Sequence, residues 1–152
     1  MKGKIIIGII ILLLLICGYF LFSNKKSEAV FLKLEKITLK EEKKVKINQK
    51  EVTIKYQDAL IINDKKIEKE VVNLYSTGEY LIVAYKGNQK EKYLFIDNEV
   101  NEIEVVKENI NEDTEYSNLR LDTNKLVADT DDGIVEISYK EGKIYIKNKD
   151  NQ

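Results

Sequence analysis

Clustered carboxylates are the side chains of this sequence with the most evident chemistry. Asp129, Asp131 and Asp132 stand close together and are followed by Gly133, and hard cations such as Ca²⁺ prefer oxygen ligands of this kind. The glycine comes one place too early for an EF-hand loop, and no flanking helices are predicted. We therefore interpret the segment as an acidic hairpin turn and expect no metal ion and no cofactor. The acidic run 112–115 would supply further oxygen ligands only if the fold brought it near.

Other residue types that catalysis commonly uses are scarce. The chain has no histidine and one cysteine, Cys17, whereas zinc sites and Ser-His-Asp triads depend on these side chains. A glycosidase-like carboxylate pair is compatible with the composition, but no spacing singles out two acidic residues. Ser76, Ser117 and Ser138 lack the sequence of a nucleophile elbow. We expect that the chain is not an enzyme, and a carboxylate-based envelope hydrolase is the least favoured alternative.

The charge balance argues against a nucleic-acid ligand. The chain has 25 basic and 26 acidic residues, for a net charge of −1, and Arg120 is its only arginine. Binding to nucleic-acid phosphates needs clustered basic residues. Residues 98–152 are the more acidic part of the chain. Together with Tyr116, Tyr139 and Tyr145, that part is where we expect the surface for a protein partner.

The uncharged run from Ile5 to Phe22 predicts a helix that spans a membrane. At a rise of about 1.5 Å per residue, roughly 18 apolar residues nearly cross a hydrocarbon core about 30 Å thick. Tyr19, near the end of the run, suits the level of the lipid headgroups. We predict an uncleaved signal anchor over residues 1–26. The alternatives are a cleaved signal peptide, whose apolar core is usually shorter, and a lipoprotein acylated at Cys17.

The layout of the anchor also predicts its orientation. Lysines flank both ends of the apolar run in equal number, so positive charge does not separate the two topologies. A very short N-terminal flank ahead of a long hydrophilic remainder is typical of signal anchors whose C-terminal body is exported. We therefore predict a single-pass protein of the cell membrane with its body outside the cytoplasm.

Most of that body shows the alternation of apolar and polar residues that is typical of half-buried strands. Turn dipeptides such as Asn63-Asp64 and Glu141-Gly142 separate the strands. Two strands, 80–85 and 92–97, contain uninterrupted apolar runs, which predicts that both of their faces are buried. Segment 100–110 fits a helical stripe as well as a strand, and both alternatives stay open. The pattern predicts an all-β fold of antiparallel strands after the anchor.

Two adjacent predicted strands and the turn between them carry a set of glycine, aromatic and amide or acidic residues: Gly78, Tyr80, Gly87, Asn88, Phe95 and Asp97. In this arrangement, residues 45–97 resemble bacterial immunoglobulin-like modules. The resemblance implies an immunoglobulin-like β-sandwich over residues 27–97. Residues 98–152 would add β-hairpins to that sandwich or form a small second β unit.

We expect structural roles for these motif residues. Gly78 can adopt a backbone conformation that is closed to other residues, and Tyr80 can place its ring in the core. Gly87 and Asn88 are predicted to supply the positive φ angles of a tight turn. No binding residue is singled out by the sequence.

These features predict a membrane-anchored extracytoplasmic β domain with a non-catalytic binding or structural role in the cell envelope. An accessory subunit of a membrane complex or transporter is the alternative. The expected partners are the membrane, through Ile5–Phe22, and a protein of the envelope.

Overall fold

The computed structural model describes residues 9–15 and 32–149, which belong to two compact units, Met1–Phe31 and Leu32–Gln152. In the first unit, residues 9–15 are helical. Among the described residues, no helix is long and apolar enough to cross a membrane. The rest of the predicted span Ile5–Phe22, including Cys17, lies outside the described residues.

Residues 32–149 of the second unit form thirteen β-strands, which confirms the prediction of an all-β fold. Segment 100–110 contains a strand, so the strand alternative is the one that the structure adopts. The strands are β1 (Glu35–Ile37), β2 (Lys43–Ile47), β3 (Lys50–Tyr56), β4 (Leu60–Ile62), β5 (Lys65–Ile67), β6 (Val71–Ser76), β7 (Leu81–Lys86), β8 (Glu91–Ile96), β9 (Val105–Glu108), β10 (Ser117–Asp122), β11 (Lys125–Thr130), β12 (Gly133–Lys140) and β13 (Lys143–Asn148).

These strands form three sheets. The N-terminal sheet has the order β2-β3-β4-β5, the central sheet has the order β1-β6-β7-β8, and the C-terminal sheet has the order β10-β11-β12-β13-β9. Neighbouring strands are antiparallel, as predicted, except that β9 runs parallel to β13. Most neighbours in a sheet are also consecutive in the chain, so hairpins account for most of the pairing.

Strand β7 holds the three sheets together because both of its faces are buried. Leu81, Ile82 and Val83 are fully buried, and successive side chains of a strand point to opposite faces. Leu81 and Val83 pack in a first core with side chains of the N-terminal sheet. Ile82 packs in a second core with side chains of the C-terminal sheet. This arrangement confirms the burial on two faces that was predicted for strand 80–85.

The second core combines the two parts of the chain that meet at residues 97 and 98. Tyr80 and Phe95, from the predicted immunoglobulin-like part, pack there with Ile137 and Ile146, from the C-terminal part. The C-terminal strands therefore cover the face of the central sheet that the N-terminal sheet leaves open.

The tight turns follow the local sequence. Asn63 and Asp64 have φ angles of 47° and 67°, and Glu141 and Gly142 have φ angles of 53° and 75°. Positive φ at both central residues is the requirement of a type I′ hairpin turn, which Asn, Asp and Gly tolerate best. Both predicted turns are thus confirmed. Two further turns of the same kind are Asn48-Gln49 and Thr123-Asn124.

Candidate functional site

Two of the motif residues have the structural roles that were predicted for them. Gly78 has a φ angle of 91°, in the region that favours glycine. Its backbone N–H donates a hydrogen bond of 3.1 Å to the hydroxyl of Ser76. Tyr80 is 2% exposed, and its ring centroid lies 6.0 Å from that of Phe95 and 5.1 Å from that of Tyr139.

The prediction for Gly87 and Asn88 is wrong, because neither residue has a positive φ angle. The hairpin between β7 and β8 has a longer loop, which the N–H of Gly87 closes by donating to the carbonyl of Lys90 at 2.8 Å. The Glu115 carboxylate fills this loop and accepts the N–H groups of Gln89 and Lys90, both at 3.1 Å. Gly87 is required for space, since a Cβ atom there would overlap the Glu115 carboxylate and lie 2.7 Å from the carbonyl oxygen of Lys90, a backbone atom that cannot move as easily as a side chain.

We predict that Gly87→Ala lowers the free energy of unfolding by about 1–3 kcal/mol, because the added methyl group forces the loop apart. In a Glu115→Ala background the cost should be smaller, although not zero, since the Lys90 carbonyl also lies close. Urea denaturation of the single and double variants measures this coupling. Gly142→Ala is the control: its site is open, so its cost should be the same in both backgrounds. Equal costs of Gly87→Ala in both backgrounds would contradict the steric role of Glu115.

Asp97 also has a structural role. Its carboxylate accepts the backbone N–H groups of Glu99 and Asn101, both at 2.9 Å. The carbonyl of Asp97 accepts the N–H of Val100 at 3.1 Å. Asp97 thus organises the turn that leaves β8.

The two acidic segments lie side by side, around a cavity of about 160 Å³ that Asp113, Glu115 and Asp131 help to line. Several of their carboxylates already have partners. The Asp129 carboxylate contacts the Arg120 guanidinium at 3.0 Å, and a hydrogen bond from Asn118, followed by that from Arg120, lowers the pKa of Asp129. Asp131 contacts the Lys90 ammonium at 2.6 Å. Over the described ranges, no cluster of three or more Asp, Glu, Cys or His residues is arranged to hold a metal ion.

A larger cavity lies along the edge strand β8 of the central sheet. Glu91 and Tyr116 exchange two backbone hydrogen bonds, of 3.1 Å and 2.7 Å, at the start of this strand. Near its end, the carbonyl of Phe95 accepts the N–H of Ile103 at 2.8 Å. Between these contacts, residues 104–115 leave the sheet to form β9 and the loop that follows it. The strand that would pair with β8 is therefore interrupted.

The interruption leaves the backbone N–H and C=O groups of Tyr93 unpaired at this edge. Alternate residues of an edge strand direct their N–H and C=O groups to the same side, and Glu91 and Phe95 direct theirs toward the open edge. Tyr93, which lies between them, must do the same. In residues 32–149, neither backbone group of Tyr93 has a hydrogen-bond partner across this edge.

This cavity has a volume of about 520 Å³, within the range of about 300–1,000 Å³ that ligand pockets span. The rings of Tyr93 and Tyr116 stack in its wall, with centroids 4.7 Å apart and planes inclined by 11°. Its lining consists of Tyr85, Lys92, Tyr93, Phe95, Glu102, Ile103, Glu104, Val105, Lys107, Glu112, Thr114, Tyr116 and Ile146.

Both stacked tyrosines have buried hydroxyl oxygens without a hydrogen-bond partner in the described part of the chain. Burial raises the pKa of Tyr116 to about 12 and also raises the pKa of Tyr93. A buried hydroxyl that lacks a partner costs stability, typically about 1–3 kcal/mol. The two hydroxyls therefore remain unsatisfied inside the fold, with almost no surface toward the cavity.

The charged groups of the cavity fall into two classes. Lys107 and Glu112 contact each other at 4.0 Å, and Glu104 contacts Lys143, outside the cavity, at 3.5 Å. By contrast, Lys92 and Glu102 have no close ion-pair contact with a described residue, although, besides backbone hydrogen bonds, the Lys92 charge contributes to the lowered pKa of Glu115. Neither of these two side chains is therefore held in a close ion pair within the described ranges.

We predict that Tyr116→Phe keeps or raises the free energy of unfolding at neutral pH, because it removes a buried hydroxyl that has no partner. It should also make the protein less sensitive to alkali. The folded state holds the Tyr116 phenol proton with a pKa of about 12, above the ordinary value of 10.0. Its contribution is complete below pH 10 and is lost as the pH rises toward 12.

Urea denaturation of the parent protein and of Tyr116→Phe across this pH range measures both effects. The variant should lose less stability between pH 10 and pH 12 than the parent protein does. An equal alkaline loss in the two proteins, or a large loss of stability in the variant at neutral pH, would contradict the buried, unpartnered hydroxyl.

The sequence did not predict the cavity, although two of its lining residues, Phe95 and Tyr116, were named for other roles. Tyr116 was expected on a partner surface, but it is 3% exposed, because the pairing with Glu91 turns it into the second core. Tyr139 packs against Tyr80, and Tyr145 is half-buried on β13. The only local signal was the alternation of aromatic residues along β8. The opening itself depends on where residues 104–115 go.

Comparisons with protein-family models, with curated proteins and with solved structures find no match for this chain.

Proposed function

We propose that this chain is a membrane-anchored β module with its body outside the cytoplasm and with a non-catalytic binding or structural role in the cell envelope. The proposal joins two features of the chain, an apolar N-terminal run and a compact β body.

The observation that carries the proposal is the exposed apolar surface of the first unit. Every described side chain of the helical segment 9–15 is an isoleucine or a leucine, and each is between 51% and 67% exposed. Contiguous apolar surface of this kind is costly in water and marks a site of contact with a membrane or another protein. The uncharged sequence continues on both sides of the segment, to Ile5 and to Phe22, which favours lipid as the contact.

The form of the body supports a binding or structural role rather than catalysis. Residues of the immunoglobulin-like motif, such as Gly78 and Asp97, organise turns, and Tyr80 and Phe95 fill the second core. We propose that the body is an immunoglobulin-like module, that is, a rigid β scaffold whose edges and loops are available to contact partners. The helix would concentrate such a module at the membrane surface, which raises its effective concentration toward partners there.

Membrane fractionation tests the proposal. The full chain should remain in the membrane pellet after alkaline carbonate extraction, which releases proteins that are bound only to the surface. A C-terminal reporter that is active only outside the cytoplasm should be active, and one that is active only in the cytoplasm should not. Release of the chain by carbonate, or the opposite pattern of the reporters, would overturn the proposal.

A further inference from the structure

The cavity beside β8 lies where a strand that paired with β8 would run, between the two segments that already pair with its ends. Tyr116 pairs with one end of β8 and Ile103 with the other, and no described backbone group forms a hydrogen bond with Tyr93 between them. We propose that this cavity binds a short, free peptide in an extended conformation, which pairs with Tyr93. This inference deepens the proposed binding role and rests on it.

The backbone geometry sets the kind of ligand. Tyr93 offers one N–H donor and one C=O acceptor on the same side of the strand. A peptide residue opposite it would exchange two hydrogen bonds with Tyr93, as Tyr116 does with Glu91. Addition of a strand to a sheet edge is a common mode of peptide recognition, in which the main chain supplies affinity and side-chain pockets supply specificity.

The dimensions limit the ligand to a short segment. The positions opposite Glu91 and Phe95 are occupied, and a strand rises about 3.4 Å per residue. The gap therefore has room for two or three extended residues. A free peptide of that length fits better than a long chain, because residues 102–103 and 116 block the edge on both sides.

The charges of Glu102 and Lys92 match the direction in which such a peptide must run. Both bridges to β8, at Glu102 and at Tyr116, are antiparallel, so a peptide that continues this line runs antiparallel to β8. Its amino terminus would then lie near Glu102 and its carboxyl terminus near Lys92. These two side chains have the complementary charges, and neither is held in a close ion pair with a described residue, although the Lys92 charge also acts on Glu115.

Titration with trialanine, observed by NMR on the ¹⁵N-labelled full chain in detergent micelles, tests the inference. We expect the amide signals of Tyr93 and of its neighbours on β8 to shift at millimolar peptide. Trialanine with an N-methylated middle residue, which has lost the central N–H donor, should bind at least roughly tenfold more weakly. Lys92→Gln should weaken binding of the parent peptide to a similar extent.

Lys140→Gln is the matched control, since this exposed lysine lies at the end of β12 and does not line the cavity. It should leave the affinity for trialanine unchanged. The N-methylated peptide tests the same contact without altering the protein, so the outcome does not depend on whether Lys92→Gln folds. Absence of shifts at Tyr93, or equal shifts with the N-methylated peptide, would overturn the inference. Because the titration does not depend on cellular location, it can fail while the membrane proposal stands.

Discussion

Replacing Leu81 by alanine is expected to lower the free energy of unfolding by about 2–5 kcal/mol, the usual cost of truncating a fully buried leucine. Leu81 has no exposed surface and packs in the first core, between the central and the N-terminal sheet. Ile82→Ala should cost a similar amount, although Ile82 packs in the second core. Either loss is a large part of the total stability of about 5–15 kcal/mol that native proteins have.

The shared central strand makes this prediction specific. Because Leu81 and Ile82 are neighbours on one strand that serves both cores, each variant should destabilise all three sheets. Urea denaturation combined with hydrogen exchange measures this effect: amide protection should fall in the N-terminal and the C-terminal sheets alike. Val72→Ala, at a side chain that is 46% exposed on β6, is the control and should have little effect. If Leu81→Ala melted the N-terminal sheet alone, the shared central layer would be contradicted.

The double substitution of Leu12 and Leu13 by arginine is expected to remove the chain from membranes. An arginine at the centre of a membrane helix raises the apparent insertion free energy by about 2.5–3.5 kcal/mol. Two such changes in the apolar run are large enough to reverse insertion. The measurement is the fraction of the chain that stays in the membrane pellet after carbonate extraction.

A leucine on the β body provides the control for charge and size. Leu121 is 40% exposed on β10, so Leu121→Arg adds the same side chain where water already reaches it. This variant should partition with membranes as the parent chain does. Retention of the Leu12→Arg, Leu13→Arg variant in the pellet would mean that the apolar run is not what holds the chain there.

The parts of the fold that were predicted correctly depend on local signals. The dipeptides Asn63-Asp64 and Glu141-Gly142 tolerate positive φ through their own side chains or the lack of one, so the sequence identifies these turns without help from the rest of the chain. The burial of β7 on both faces was visible because apolar residues follow one another there without alternation.

Other features depend on residues that are far apart in the sequence. Gly87 was interpreted as the residue of a tight turn, but its role comes from Glu115, which enters the loop from beyond β9. The parallel pairing of β9 with β13 joins residues about 105–108 to residues about 144–147, and no local pattern specifies that register.

The cavity could not be predicted from the sequence for the same reason. Tyr116 lies in an acidic segment and was expected on a surface, whereas its backbone pairing with Glu91 buries it. The opening beside Tyr93 exists because residues 104–115 leave the edge of β8 and return to it. An opening that is defined by a missing strand position cannot be recognised from the residues that line it.

Thiol labelling of intact cells tests the central claim most directly. Cys17 is the only cysteine of the chain, so Asp132→Cys in a Cys17→Ser background places a single thiol on the exposed turn between β11 and β12. A maleimide that cannot cross membranes should label this thiol in intact cells to the same extent as after lysis, with the labelled chain in the membrane fraction. Labelling that appears only after lysis, or a labelled chain that is free of the membrane, would contradict the anchored, exported β module.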